Sequence, residues 1–146
     1  MKSAWTVSIL LFAQIATANP IAHLENQDLA GQYNLDGQEG DFNCRVFFLS
    51  SGDGSVLIPL NSLVGSAVDF KFNFNGAKLR QKNGLSHFTR KLKNINLCGS
   101  EGETFAIRHE LTVSDSSLTL FQTHSCMDNE KVTEHKTTVT CSMETN

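Results

Sequence analysis

The chain has 146 residues, 40% of them hydrophobic, with 12 Lys and Arg against 15 Asp and Glu and a formal net charge of −3. That balance favours no polyanion partner overall, nucleic acid included. No segment approaches the roughly 18 uninterrupted apolar residues of a membrane-spanning helix.

Residues 1–18 read as a secretory signal peptide. Lys2 supplies the positive start, Val7 to Ala13 the apolar run, and Ala16-Thr17-Ala18 a small-residue cleavage site. The mature chain then starts near Asn19 and keeps 128 of the 146 residues, one domain with a core of its own. Its four cysteines, Cys44, Cys98, Cys126 and Cys141, are even in number and lack C-x-x-C spacing, so two disulfides are expected in an extracellular or periplasmic setting.

Residues 19–28 are polar, contain Pro20 and are expected to form a loose N-terminal arm ahead of a domain over residues 29–146. Leu29 to Leu35 reads as a first strand with Leu29, Gly31, Tyr33 and Leu35 on one face, and Gly37 to Asn43 as a polar turn. Cys44 to Leu49 follows as a strand, then a Ser51-Gly52-Asp53-Gly54 hairpin loop and a returning strand from Ser55 to Leu60, with Pro59 marking an edge or strand end.

Val68-Asp69-Phe70-Lys71-Phe72-Asn73-Phe74 alternates apolar and polar residues without a slip, the period of a strand with one buried face. Asn75-Gly76 and Asn83-Gly84 are both type I′ turn sequences, and they predict a three-stranded meander over 67–91. Its register sets Phe72 against Leu79, Leu79 against Phe88, Asp69 against Lys82 and Asn73 against Lys78. Thr104 to Val113, Leu118 to Cys126 and Lys131 to Cys141 complete eight or nine strands, joined by Ser114 to Ser117 and by a four-residue turn at Met127 to Glu130. The expected fold is all-β, a single antiparallel up-and-down barrel of about eight strands, with a two-sheet sandwich as the alternative.

This register separates Cys126 and Cys141 to opposite ends of the last hairpin, tens of ångströms apart, too far to bond. Cys126 falls opposite Phe105, near the loop that carries Cys98. The expected bonds are Cys98–Cys126 and Cys44–Cys141.

Two groupings point to chemistry. His109 is set against Gln122 and Gln122 against His135, with His124 two residues along, all on the apolar-lined face. Three imidazoles are the raw material of a zinc site. The motif is unspecific, and a polar cavity floor that orients a ligand, or a register slip that turns some of them outward, are the other readings, so no metal or cofactor is assigned. The second grouping is Lys71, Lys78, Arg80, Lys82, Arg90, Lys91 and Lys93, seven cations with no acidic residue among them. It reads as a solvated face or as a surface for an anionic polysaccharide or phospholipid headgroup. Catalysis has little support: there is no G-x-S-x-G, and the cysteines are expected to be oxidised.

Leu29-Ala30-Gly31-Gln32-Tyr33-Asn34-Leu35 resembles the G-x-W opening of lipocalins and other calycins, with Tyr33 in the Trp position. Together with Cys44-Arg45-Val46 it also resembles the first hairpin of small bacterial barrel inhibitors of secreted metalloproteases. The first resemblance implies a monomeric exported carrier of a small, mostly apolar or amphipathic ligand. Its lining would be Phe70, Phe72, Phe74, Leu79 and Phe88, with His109, Gln122 and His135 as polar contacts. The second implies protease inhibition through residues 19–28. A third reading is adhesion to an anionic surface through the basic 71–93 stretch.

Overall fold

The computed structural model describes residues 19–52, 54–60, 68–92, 95–99 and 102–143. The expected signal peptide, Asp53 and Lys93 lie outside the described residues. Ten strands follow in order: β1 (Leu29–Leu35), β2 (Gln38–Cys44), β3 (Phe47–Leu49), β4 (Ser55–Leu60), β5 (Val68–Asn73), β6 (Lys78–Lys82), β7 (Leu85–Leu92), β8 (Glu103–Val113), β9 (Ser117–Asp128) and β10 (Lys131–Ser142). Every pairing is antiparallel. They form a seven-stranded sheet in the order β2-β1-β10-β9-β8-β7-β6 and a three-stranded sheet in the order β3-β4-β5. The fold is therefore all-β, and among the described residues the two sheets do not close into a barrel.

The break has a local cause. Asn83 and Gly84 both have positive φ, 52° and 75°, the type I′ geometry whose twist matches paired strands, and β6 and β7 pair in full register from Lys82↔Leu85 to Lys78↔Thr89. At the other Asn-Gly only Gly76 is positive, at 68°. A turn that is not of the primed kind splays its strands. After the single bond from Ala77 N to Phe74 O (2.9 Å), β5 pairs with β4 and β6 with β7. The expected meander is thus cut in two, and the pairs Phe72–Leu79, Asp69–Lys82 and Asn73–Lys78 do not form. Gly37 to Asn43 is also not a turn: Asp36 (φ 51°) and Gly37 (φ 90°) make a tight turn, and β2 pairs back on β1 from Leu35↔Gln38 to Leu29↔Cys44.

Apolar residues at alternate positions of both sheets meet in one core. The larger sheet contributes Leu29, Phe88, Leu111, Val113, Leu118, Leu120 and Val139, and the smaller contributes Val56, Ile58, Leu60, Phe70 and Phe72. The arm is not loose. Ile21 and Leu24 are 0% exposed and belong to that core, because residues 20–26 fold into turns held by Asn19 and Glu25. Asn19 Nδ2 donates to Glu25 Oε2 at 2.7 Å, and Glu25 Oε1 accepts from Phe48 N at 2.7 Å.

Cys44 is bonded to Cys141 and Cys98 to Cys126, with Cα–Cα separations of 5.8 and 5.7 Å. β2 and β10 lie on either side of β1, and strands two places apart stand about 9.6 Å from one another in a flat sheet. The Cys44–Cys141 bond therefore marks where the seven-stranded sheet curls tightly toward its inner face.

Candidate functional site

The residues expected to line an apolar cavity pack instead against one another. Phe72 is 0% exposed, and its ring lies 5.3 Å from that of Phe74 and 6.4 Å from that of Phe88; Phe74 and Phe88 meet edge-on at 4.9 Å. Such contacts stabilise an aromatic cluster beyond its area burial. Phe70 is buried beside them, whereas Leu79 is 52% exposed. Leu79 is thus not a lining residue: with β6 splayed away from β5, no second layer covers its inner face among the described residues.

Beyond the apolar core, the inner face of the large sheet turns polar. Arg90 lies opposite His109, and His109 opposite Gln122. Gln122 lies opposite Thr137 rather than His135, because the last hairpin turns in two residues, Asn129 and Glu130, rather than four. That shift sets His135 against His124, and their rings stack at 4.7 Å. His135 Nδ1 is 2.8 Å from Asp36 Oδ2, and Lys136 N donates to Asp36 Oδ1 at 2.6 Å. This polar end also ties the two sheets together, since Gln122 Nε2 donates to Lys71 O and Arg90 to Asn73 O at 3.4 and 3.5 Å.

Protonation follows from these surroundings. Burial holds the His109 imidazole below its ordinary value, and the charges of Arg90 and His124 add to the effect. Burial pushes the Asp36 carboxyl up, but the His135 hydrogen bond, the Lys136 N–H and the charges of His135 and His124 outweigh it and leave the group low. His109, His124 and His135 do not converge as a metal triad. Among the described residues the one group with ligand atoms within 4.8 Å of each other is Cys98, His124 and Cys126, and its two sulfurs are joined to each other.

The outer face holds the other candidate. Lys78, Arg80 and Lys82 project from β6, Lys91 from β7 and Arg108 from β8, all exposed. Lys91 lies directly opposite Arg108, and Lys78 opposite Thr89. Like charges placed opposite each other destabilise a sheet unless something else is gained. A cleft of about 360 Å³ opens there, lined by Gly76, Lys78, Thr89, Arg90, Lys91 and Arg108. The neighbouring carboxylate, Glu110, is engaged by Arg108 and lies 3.7 Å from His87. Lys71, by contrast, sits on the smaller sheet and is no neighbour of Arg80.

The expected cluster therefore divides between two faces. Two residues join the sites without having been singled out in the sequence: Arg108, which the β7–β8 register brings beside Lys91, and Asp36, which the first turn delivers to His135. The Asp36-Gly37 dipeptide, a type I′ turn sequence, carried the signal for the second. Comparisons with protein-family models, with curated proteins and with solved structures gave no match.

Proposed function

We propose that the mature chain is an exported, disulfide-tied binding module that recognises anionic groups on a polymer or surface through the basic cleft of β6, β7 and β8. The observation that carries this reading is the gathering of Lys78, Lys91 and Arg108 on one outer-face cleft, with Arg80 and Lys82 along the same edge strand, in a chain whose overall charge is negative. Charge of one sign gathered against the overall balance focuses the local field and speeds encounter with oppositely charged ligands. Arg108, beyond its contact with Glu110, offers planar N–H donors suited to sulfate, phosphate or carboxylate oxygens, and the lysines add mobile charge. The two disulfides suit an oxidising compartment.

The interior supports an apolar carrier less well, because a guest among Phe70, Phe72, Phe74 and Phe88 must first part rings already in contact. The inhibitor reading asks residues 19–28 to act as a free trunk, and Ile21 and Leu24 would have to leave the core to do so. The mapping experiment is amide NMR with a short sulfated oligosaccharide. Shifts confined to Lys78, Thr89, Arg90, Lys91 and Arg108 are expected; shifts centred on His109 and Gln122, with the cleft unmoved, overturn the assignment.

A further inference from the structure

The two edges of the large sheet are unlike each other. At the β2 edge Glu39 and Asp41 project from the outer face, and both are exposed. Among the described residues their carboxylates accept from neutral amide donors alone, Glu39 from Asn34 Nδ2 at 2.6 Å and Asp41 from Gln32 Nε2 at 3.3 Å. At the β6 edge the same face presents Lys78, Arg80 and Lys82, every residue of that strand is exposed, and among the described residues none of these cations has a carboxylate partner. Each edge strand is paired on one side only.

Charge decides which edges can meet. Two copies of β2 would oppose acid to acid and two copies of β6 base to base, and both pairings are disfavoured. Only β2 against β6 brings opposite charges together.

The backbone agrees. The seven strands alternate in direction, so β2 and β6 run in the same sense, and a copy rotated to undo the twist of the sheet lays its β2 beside β6 in parallel with the sheet faces continuous. The residues that close a tight hairpin bond to each other, and every second residue onward repeats the pattern. Gln38, Gly40 and Phe42 therefore bond to β1, and the amides and carbonyls of Glu39, Asp41 and Asn43 point out of the edge. By the same rule Lys78, Arg80 and Lys82 bond to β7, which turns the backbone of Leu79 and Gln81 outward. In a parallel pair a residue bonds to the two that flank its opposite number. Asp41 placed opposite the neighbouring copy's Arg80 thus finds the outward groups of Leu79 and Gln81. This register also sets Glu39 opposite Lys78, and Leu79, 52% exposed in the single chain, beside Gly40, where the covering Tyr33 ring gives it an apolar neighbour.

We infer that the chain associates with further copies of itself, head to tail, by parallel addition of the β2 edge of one copy to the β6 edge of the next. The contact is heterologous and leaves a free edge at each end, so it builds open chains of subunits rather than a closed dimer. Lys91 and Arg108 stay outside the contact, so each subunit keeps them exposed in the assembly.

The test is sedimentation velocity of the mature, fully oxidised protein over a range of concentrations, without any polyanion. Weight-average sedimentation coefficients that rise with concentration and fall with added salt are expected. The double variants Glu39→Lys/Asp41→Lys and Arg80→Glu/Lys82→Glu should each sediment as monomers, with far-ultraviolet circular dichroism confirming the sheet, and an equimolar mixture of the two should associate again. A monomer at every concentration, association that survives either reversal, or a mixture that stays monomeric overturns the inference. If a reversal unfolds the sheet, the neutral variants Glu39→Gln/Asp41→Asn and Arg80→Gln/Lys82→Gln replace it and must weaken association several-fold.

Discussion

The two disulfides close loops of very different length, and this gives an ordering that can be measured. Cys44 and Cys141 are 97 residues apart, Cys98 and Cys126 only 28. In the chain-entropy account the first restricts the unfolded state by about 4.7 kcal/mol and the second by about 3.6 kcal/mol. All four half-cystines are buried, so replacing either pair by Ala leaves a comparable packing defect and the difference survives in the comparison. The Cys44→Ala/Cys141→Ala variant should therefore be less stable than Cys98→Ala/Cys126→Ala by about 1 kcal/mol. That corresponds to a midpoint lower by about 3–5 °C for a domain of this size. Guanidinium unfolding at equilibrium, checked by calorimetry, reads this directly. The reasoning is refuted if loss of the Cys98–Cys126 bond costs as much as loss of the other, which would mean that native packing around the β8–β9 end outweighs loop closure.

Further outcomes follow from particular contacts. Gly40 faces Tyr33 across the β1–β2 hairpin, and a Cβ there would meet the Tyr33 ring and hydroxyl; Gly40→Ala should cost about 1–3 kcal/mol in urea unfolding. Deleting residues 19–28 removes Ile21 and Leu24 from the core and should destabilise the domain by at least about 3 kcal/mol, whereas a free trunk would be lost without effect. The His109 value lies below the 6.5 of the unfolded chain, so the unfolded state takes up its proton first on acidification. The stability tied to neutral His109 is complete above 6.5 and is lost as pH falls from there through the lower folded-state value; His109→Gln should flatten this part of the stability profile, and proton NMR of the imidazole should show the low titration.

The strands themselves were largely legible because their period-2 alternation is strong from Leu29 to Leu35, Val68 to Phe74 and Thr104 to Val113. Which strands pair was less legible, and the two Asn-Gly turns show why. The same dipeptide is a primed turn at Asn83 and an unprimed one at Asn75, and the dipeptide itself does not tell the two apart. The disulfide partners could be reasoned out even though the turn after Cys126 was placed two residues too wide, because Cys126 and Cys141 stay at opposite ends of the hairpin under either register. The histidines were less forgiving: one two-residue shift moved His135 from Gln122 to His124. The basic cleft was half visible. Lys78, Arg90 and Lys91 belong to a run of cations that composition reveals, while Arg108 joins them only through the β7–β8 register.

The central claim is that the basic cleft recognises anionic groups, and the most direct test is equilibrium titration of fluorescently labelled dextran sulfate against neutral dextran. Saturable binding of the sulfated polymer alone is expected, strong at about 20 mM salt and falling steeply by about 500 mM as the exposed charges are screened. The Lys91→Glu/Arg108→Glu variant should lose most of it. Absence of binding at low salt, or binding indifferent to salt and to that variant, would contradict the account.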